Sequence, residues 1–537
     1  MIVLEPEPDA REPDRSSGPR WWWGALAGLL AVVAALGVGE LVTGVLDGTR
    51  TAVVSVGEVV VENAPNWLKQ FAIDTFGQND KDALIVGTTV VLVLLSIGLG
   101  VASVRRLWVG VSGTVVLGVV GAWSALTRPG AGPADLWPSL LGTAAAVSVL
   151  VVLLRSPAGD ATASWAAADP TGWGRRSAPA PSGFDRRRFL ASAGVVAGGA
   201  AVAGGVGRAL QRRFRVDGAR AAVELPPPAS TATPVPPGAD LGTPGLTPFV
   251  TANGDLYRVD TALVLPRVTP DEWSLSIGGM VDEPIELSYD DVLDRELVER
   301  DITLVCVSNE VGGNLAGNVR WLGVPLASLL DEVGVQPGAD QIVSRSTDGW
   351  TAGTPTQAVR DGRDALLAIG MNGEPLTVEH GFPARLIVPG LYGYTSATKW
   401  VRELRLTTFD AFDPYWVQRG WADVAPIKTM SRIDTPRGLA EVGPGTVPLA
   451  GVAWAPHRGI SNVEVRVDDG PWQDADLGAV PTDDTWRQWV LPWDATPGRH
   501  SLTVRATDGD GAVQTEERAE PIPDGASGWH SIVVTVP

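Results

Sequence analysis

The chain has 537 residues, of which 45% are hydrophobic and 19% are charged, a composition that excludes wholesale disorder. The formal net charge is −19, yet residues 1–216 carry 19 basic against 16 acidic side chains. Residues 217–537 carry 23 basic and 45 acidic side chains, which argues against nucleic-acid binding because phosphate contacts need clustered cations. The single cysteine, Cys306, excludes an intramolecular disulfide and any cysteine-rich zinc or iron–sulfur site.

The first part of the chain is predicted to be a helical membrane domain. Uncharged apolar stretches cover residues 21–39, 83–104, 107–127, 136–154 and 189–207. Each is about as long as a helix that crosses a bilayer, at roughly 20 residues. We therefore predict a four-span transmembrane domain over residues 21–156 and a fifth span over 189–207. The alternative, buried helices of a soluble protein, explains five such stretches poorly.

The distribution of arginine predicts the orientation of these spans. Arginines concentrate before the first span, between the second and third, and between the fourth and fifth, at positions 11, 15, 20, 105, 106, 155, 175, 176 and 186–188. Because basic loops stay in the cytoplasm, residues 1–20 are predicted to be a cytoplasmic tail and 157–188 a cytoplasmic linker. Everything after residue 208 then lies outside the cytoplasmic membrane.

The segment before the fifth span reads Asp185-Arg186-Arg187-Arg188-Phe189-Leu190. It resembles a twin-arginine export signal placed inside the chain. That route exports folded proteins, often with a cofactor already bound. The alternative is a plain stop-transfer cluster of charges.

Haem in the membrane domain is not expected. Membrane b-type haems commonly use paired histidine ligands. The four histidines are His380, His457, His500 and His530, so none lies in the predicted spans.

The outer part is predicted to hold a tether and two domains. Residues 208–247 are rich in proline and predict an extended tether. Residues 248–435 mix strand patterns at 273–277 and 302–307 with predicted helices at 324–333 and 358–369, which indicates an α+β domain. Residues 436–537 show alternating stretches at 463–467, 502–506 and 531–536, with a hairpin turn at 468–470, which predicts a β-sandwich.

Two glycine-rich segments of the α+β domain carry candidate chemistry. Cys306 ends a strand-like run and precedes a polar, glycine-rich loop. A thiolate there can be a nucleophile or a soft metal ligand, although a lone cysteine on a strand is commonly a small buried hydrophobe. The second segment contains His380, Arg385 and Lys399, a set suited to an anionic, phosphate-bearing ligand. For Lys399 a solvated surface position is the alternative.

These residues resemble the sulfite oxidase-type molybdenum-cofactor enzymes. The matching stretches are 304–306, 317–323, 365–368, 371–376, 380–385, 389–390, 393 and 399–400. The resemblance covers about residues 250–432, extends to an immunoglobulin-like dimerisation domain over 436–537, and does not cover 1–245. It implies a multidomain protein: a helical transmembrane bundle, an α+β molybdopterin-binding domain and an immunoglobulin-like β-sandwich.

The resemblance also implies roles for single residues. Cys306 would bind molybdenum as a thiolate. Arg258 would lie near the metal, contact the cofactor and attract an anionic substrate, so Cys306 and Arg258 are the predicted catalytic residues, and Arg320 is a further candidate for the anion pocket. The remaining predicted cofactor-binding residues are Asn253, Tyr257, His380, Arg385, Ser396, Thr398 and Lys399, of which His380 and Arg385 would hold the pterin phosphate.

The predicted activity is a two-electron oxygen-atom transfer on a small sulfur compound, using molybdenum–molybdopterin. Where animal and plant sulfite oxidases have a tyrosine before the Met-Asn-Gly stretch, this chain has Ile369, so sulfite itself is not fixed as the substrate. Reduction of a sulfoxide such as methionine sulfoxide is the alternative, and a non-enzymatic, membrane-tethered binding module is an alternative of another class. A separate electron-transfer partner and a homodimer formed by the last domain are also expected.

Overall fold

The computed structural model describes residues 21–46, 49–65, 68, 71, 75–76, 80–128, 131–155, 186–211 and 216–537. The chain divides into two compact units, Met1–Phe214 and Arg215–Pro537. The Asp185 end of the twin-arginine-like motif and the predicted cytoplasmic tail lie outside the described residues.

The first unit is helical. Its described helices are α1 (Trp21–Val45), α2 (Ala52–Asn63), α3 (Asp80–Arg105), α4 (Leu107–Leu126), α5 (Trp137–Leu154) and α6 (Arg186–Gln211). Within the described residues, five helices are long and apolar enough to cross a membrane, namely all of these except α2. Their outward faces carry large apolar side chains, including Val86, Leu94, Trp108 and Val119.

Helix α1 is the centre of this unit because its small residues admit neighbouring backbones. A Cβ atom at Gly24 would lie 2.5 Å from the carbonyl oxygen of Gly100 in α3. A Cβ atom at Gly37 would lie 2.6 Å from the carbonyl oxygen of Ala200 in α6. Any side chain at either position would push two helices apart. The fifth apolar helix therefore packs within the same unit as the first four.

The second unit opens with α7 (Val216–Ala222), followed by a mixed sheet, in which β1 and β10 are parallel, and an antiparallel sheet. The first has the order β2-β1-β10-β5-β6, and the second has β3-β4-β7-β8 with β9 also paired to β7. The strands are β1 (Ser274–Gly279), β2 (Ile285–Ser288), β3 (Val298–Val305), β4 (Ala316–Pro325), β5 (Gln341–Ser346), β6 (Thr351–Pro355), β7 (Leu366–Met371), β8 (Glu374–Pro375), β9 (Arg385–Ile387) and β10 (Val401–Thr407). The helices between them are α8 (Tyr289–Leu293), α9 (Leu326–Val333), α10 (Thr356–Arg360) and α11 (Gly393–Ser396).

The predicted helix over 358–369 is wrong. Only α10 forms there, and residues from Leu366 onward make strand β7, which pairs with both β4 and β9. All six residues of β7 are buried, and a strand buried on both faces has a continuous apolar pattern that periodicity cannot distinguish from a buried helix. The helix predicted over 324–333 is confirmed from Leu326, since its first two positions end strand β4.

The predicted extended, proline-rich tether over 208–247 also needs correction. From Val216 onward the segment packs on the second unit: Ala229 N donates to Leu297 O at 2.8 Å, and Glu299 N donates to Ser230 O at 2.8 Å. Farther along, Leu241 N donates to the side chain of Gln488 at 2.7 Å. Prolines lack a donor, but backbone groups between them find partners on residues 297–299 and on the side chain of Gln488. The ordered second unit therefore starts at about residue 216, not 248.

The C-terminal part has two four-stranded sheets, β11-β12-β16-β15 and β14-β13-β17-β18, around a shared apolar core. The strands are β11 (Met430–Thr435), β12 (Gly445–Trp454), β13 (Ile460–Val467), β14 (Trp472–Asp474), β15 (Asp476–Leu477), β16 (Arg487–Ala495), β17 (Gly498–Asp508) and β18 (His530–Val536). The predicted hairpin is confirmed by the pairing of Glu464 with Asp474. Because β11 pairs with β12, the boundary lies before 430 rather than at 436.

These two sheets contact the segment around Cys306. Trp486 N donates to Thr303 Oγ1 in β3 at 2.7 Å, and Arg432 Nη1 donates to Gly313 O at 2.8 Å. The ring of His530 fills the space above Gly312, whose φ of 79° also favours glycine. The C-terminal sheets therefore support the loop that follows the cysteine.

Candidate active site

A cavity of about 140 Å³ lies in the second unit, and Cys306 forms part of its wall. Its wall comes from segments 257–261, 304–308, 346–350, 380–385, 393–400 and 416–421. Of the residues predicted from the sequence, the wall contains Tyr257, Cys306, His380, Arg385 and Lys399. Residues more than a hundred positions apart in the chain are thus brought to one place.

Cys306 follows the last residue of β3 and is held by its backbone. Its N–H donates to Leu315 O at 2.9 Å, and its carbonyl accepts from Asn309 N at 3.0 Å. Asn309 Oδ1 accepts from Leu315 N at 2.8 Å, which closes the loop. Burial raises the pKa of the Cys306 thiol, although hydrogen bonds from Ser308 oppose the rise. Becoming a thiolate in this position requires a strong positive partner.

Arg385, the first residue of β9, is buried with 3% of its surface exposed. Its guanidinium donates to His380 O at 3.1 Å and to Ala397 O at 3.2 Å, and it stacks 5.2 Å from the ring of Trp321. Among the described residues it forms no ion pair with a carboxylate. Burial lowers the pKa of Arg385 to about 10. A buried guanidinium without a counter-charge is costly unless an anion binds beside it.

His380 is also buried, and its Nε2 lies 3.2 Å from the carbonyl oxygen of Asn253. Burial, with Arg385 and Lys399 nearby, lowers the pKa of His380 to about 3. The imidazole is therefore neutral at neutral pH and donates Nε2–H to that carbonyl. The next residue, Gly381, has a φ of 107°, and a Cβ atom there would lie 3.0 Å from Lys399 Cβ. Glycine at this turn brings the histidine and lysine segments together.

Lys399 is held by an acid that the sequence did not single out. Its Nζ lies 2.8 Å from Asp260 Oδ2 and donates to Glu379 O at 3.0 Å. Arg258 Nε binds the same Asp260 oxygen at 3.0 Å. Burial, opposed by Asp260, lowers the pKa of Lys399 to about 8. One carboxylate thus serves two cations, which leaves net positive charge in this corner of the site.

Four predicted cofactor residues lie outside the cavity wall. The guanidinium of Arg258 is tied to Asp260, and Asn253 Oδ1 accepts from the side chain of Asn372 at 2.8 Å. Ser396 Oγ donates to the carbonyls of Leu391 and Tyr392, just before α11, and Thr398 Oγ1 lies 2.6 Å from Ser344 Oγ. Arg258 and Asn253 contact the wall residues Asp260 and His380. Arg320 is also outside, since it forms two hydrogen bonds of 2.8 Å with Asp301.

The sequence analysis missed an aromatic part of the wall, made by Trp350, Tyr394, Trp416 and Trp421. The ring centroids of Tyr394 and Trp421 are 5.6 Å apart, and those of Trp416 and Trp421 are 6.1 Å apart. Tyr394 Oη donates to Ala422 O at 2.7 Å, which fixes the ring. The two tryptophans within six residues were the available signal. Asp348 lies in the wall beside Trp350.

Comparisons with known proteins agree with this site. Residues 262–416 match the oxidoreductase molybdopterin-binding domain. The uncharacterized oxidoreductase YuiH of Bacillus subtilis is 35% identical over 150 residues, which are 28% of this chain and 72% of that protein. The chain belongs to the sulfite oxidase-type family of molybdopterin-dependent oxidoreductases. Human mitochondrial sulfite oxidase is 26% identical over 341 residues, 54% of this chain.

The chain spans 62% of the length of human sulfite oxidase. A solved structure titled as the sulfane dehydrogenase SoxCD of Paracoccus pantotrophus has 23% identity and a TM-score of 0.48, over 54% of this chain and 84% of that one. The residues present fit the family's cofactor. Within the part of the chain that the structure describes, Arg385 is buried without a carboxylate partner, which leaves its charge available to a phosphate-bearing ligand. Cys306 supplies a sulfur donor of the kind that soft metals prefer.

Proposed function

We propose that this protein is a membrane-anchored molybdenum-cofactor oxidoreductase that transfers an oxygen atom to or from a small sulfur compound. The observation that carries the proposal is the cavity that joins a buried cysteine to a buried arginine with no ion pair among the described residues. Bound molybdopterin would supply a metal that exchanges an oxygen atom and two electrons with the substrate. Side chains of the chain itself would bind that cofactor and line the substrate cavity.

The cations of the site would anchor the cofactor's phosphate. Arg385 is fixed by two backbone carbonyls and by Trp321, so it presents its charge without losing side-chain freedom on binding. Lys399, tied to Asp260, adds a second cation, while neutral His380 is a hydrogen-bonding group rather than a charge. Asn253, Tyr257, Arg258, Ser396 and Thr398 would support these groups, Tyr257 in the wall and the other four from behind it.

Cys306 would hold the metal. Its backbone is fixed by Leu315 and Asn309, which holds the side chain at the cavity wall. Metal binding would remove the thiol proton despite the burial that raises the pKa. Neighbouring apolar and aromatic residues would keep water away from the metal. That exclusion strengthens each charge interaction inside the cavity.

The reaction is balanced by water and an electron carrier. Oxidation of sulfite takes one oxygen atom from water and releases two protons and two electrons. A separate redox protein that accepts one electron at a time would collect the electrons, because no haem is expected in this chain. Arg258 is the candidate for attracting an anionic substrate, if it exchanges Asp260 for the substrate.

Reduction of a sulfoxide is the second candidate, and the aromatic wall favours it. In this direction two electrons and two protons convert the sulfoxide to a sulfide, and the oxygen atom leaves as water. Trp350, Tyr394, Trp416 and Trp421 offer apolar surface that an organic sulfoxide uses and sulfite does not.

The five apolar helices support placement in the cytoplasmic membrane as a multi-pass anchor. The arginine distribution supports an extracytoplasmic catalytic domain, and the twin-arginine-like motif at the start of α6 supports export after cofactor loading. The two C-terminal sheets support an immunoglobulin-like domain that mediates homodimer formation.

The test is to produce the full chain in a host that makes the cofactor, purify it in detergent and measure molybdenum and pterin per chain. We expect about one of each in the parent protein. In Cys306→Ser we expect turnover to fall roughly 100-fold or more, since even outer residues of metal sites cost 10–100-fold. The melting temperature of the variant controls for folding. A folded parent protein without molybdenum, from a competent host, would contradict the proposal.

A further inference from the structure

The positions of the charged residues in the cavity wall indicate which charge a substrate would carry. Its two cations, Arg385 and Lys399, come from the segments 380–385 and 397–400. Lys399 is paired with Asp260, and Arg385 is the group that would face a cofactor phosphate. With the cofactor bound, these residues leave no unpaired cation in the wall for an anionic substrate.

Asp348 is the contrasting charge. It lines the same cavity, and its Oδ1 accepts a hydrogen bond from Trp350 N at 3.2 Å. Within the described residues it forms no ion pair. A carboxylate in a partly enclosed wall attracts a cation and repels an anion.

Four aromatic residues line the same cavity as this carboxylate. Trp350, Tyr394, Trp416 and Trp421 all line the cavity, and the rings of the last three form a connected cluster with centroid separations of 5.6 and 6.1 Å. Indole and phenol faces attract cations through the negative charge of their π-systems, and cages of such rings bind quaternary ammonium groups. A carboxylate with several aromatic faces is the donor set for an organic cation.

A buried hydroxyl in the same wall independently indicates a ligand. Ser346 is 2% exposed, and its Oγ has no hydrogen-bond partner among the described residues. Leaving a buried hydroxyl unpaired is unfavourable. A bound molecule with a polar oxygen or nitrogen atom would satisfy it.

We propose that the substrate of this enzyme is an organic cation, whose ammonium-like group lies against Trp350, Tyr394, Trp416 and Trp421 with Asp348 as its counter-charge. The inference rests on the proposed function, since it assumes that the reacting group of the substrate reaches the metal held by Cys306. It excludes inorganic oxyanions such as sulfite as preferred substrates.

The test uses the full-length, cofactor-loaded protein in detergent and isothermal titration calorimetry. The probes are choline, its uncharged tert-butyl isostere dimethylbutanol, and sulfate. We expect choline to bind at least about tenfold more tightly than the isostere, as cation–π and charge attraction in a desolvated site allow, and sulfate to bind more weakly than choline. The same order is expected when the probes inhibit turnover.

Variants assign the effect to the wall. Asp348→Asn should weaken choline about tenfold and leave the isostere unchanged, and Trp416→Leu should weaken both. Asp271→Asn, at an exposed turn outside the cavity, is the matched control and should change neither affinity. Melting temperatures identify any variant that fails to fold. If Asp348→Asn fails to fold, Asp348→Glu, whose carboxylate is displaced, takes its place.

The outcomes separate the two proposals because molybdenum is measured in the same samples. A choline preference below about threefold, a preference that survives Asp348→Asn, or tighter binding of sulfate overturns the organic-cation inference while a loaded, active enzyme retains the proposed function. A folded preparation without molybdenum overturns the proposed function, even if it still prefers choline.

Discussion

Two arginines on one sheet show how the same residue type serves two purposes. Arg320 lies in β4 outside the cavity wall, and Asp301 Oδ1 and Oδ2 each accept a hydrogen bond of 2.8 Å from it. The next residue, Trp321, lies on the opposite face because strand side chains alternate. There it stacks on Arg385 of β9, whose guanidinium donates to backbone carbonyls and forms no ion pair within the described residues.

The two arginines differ in whether a carboxylate of the chain already neutralises their charge. Arg320 has its counter-charge within the chain, so it stabilises the fold and has little left to offer a ligand. Arg385 is more deeply buried, with 3% of its surface exposed, and has no carboxylate among the described residues. A buried charge in that state is destabilising until an anion binds. Judged by exposure and charge alone, Arg320 would be the better candidate for binding an anion, whereas the contacts favour Arg385.

The largest expected effect is on the unpaired arginine. In Arg385→Gln we expect the molybdenum and pterin content per chain to fall at least about tenfold, since the variant loses a charge-assisted contact to the phosphate. The melting temperature of the cofactor-free protein should not fall, because an uncompensated charge has been removed. Metal analysis and thermal melting measure the two quantities. Full cofactor content in this variant would show that the phosphate binds elsewhere.

Substitution of Arg320, the arginine paired with Asp301, should lower stability and leave the cofactor content unchanged. Arg320→Gln leaves the carboxylate of Asp301, whose side chain is 2% exposed, without its strongest partner. We expect the protein to lose about 1–3 kcal/mol of stability, seen as a melting temperature lower by a few degrees. Molybdenum per folded chain should stay unchanged. A variant that melts normally but lacks molybdenum would erase the contrast between the two arginines.

The sequence predicted which residues can bind an anion, but not which cations a carboxylate already neutralises. Cys306, His380, Arg385 and Lys399 could be selected because glycine-rich loops with those residue types match a known family. Asp301 and Asp260 could not be assigned as partners, because an ion pair between β3 and β4, or between segments 139 positions apart, depends on strand register and loop packing. Residue type indicates which groups can bind an anion, whereas tertiary contacts decide which ones are free to do so.

The same limit explains the errors in the fold. Alternating strands such as β1 and β13 were predicted because one face is apolar and the other polar. Strand β7 was mistaken for a helix because both of its faces are buried, which removes the alternation. The proline-rich segment was predicted to be an extended tether, yet its contacts with Leu297 and Gln488 involve backbone groups that no side-chain pattern reveals.

Lys399 is neutralised less fully than Arg320 and more fully than Arg385, and its substitution should give the smallest effect. It shares Asp260 with Arg258, and burial lowers its pKa to about 8, below the usual lysine value of about 10.4. Between these two pH values the unfolded chain binds more protons than the folded one. The free energy of unfolding of the cofactor-free protein should therefore rise with pH across that window, by on the order of 1–3 kcal/mol.

The measurement is the melting temperature of cofactor-free protein between about pH 8 and 10.5, compared between the parent protein and Lys399→Met. The variant should lack the lysine's share of the rise, and other titrating groups cancel in the difference. Lys428→Met, at a partly exposed lysine paired with Asp524, is the matched control and should keep the parent slope. Parallel curves of melting temperature against pH for Lys399→Met and the parent would mean that Asp260 neutralises Lys399 as fully as Asp301 neutralises Arg320. Arg385 would then be the single under-compensated cation in the described wall of the cavity.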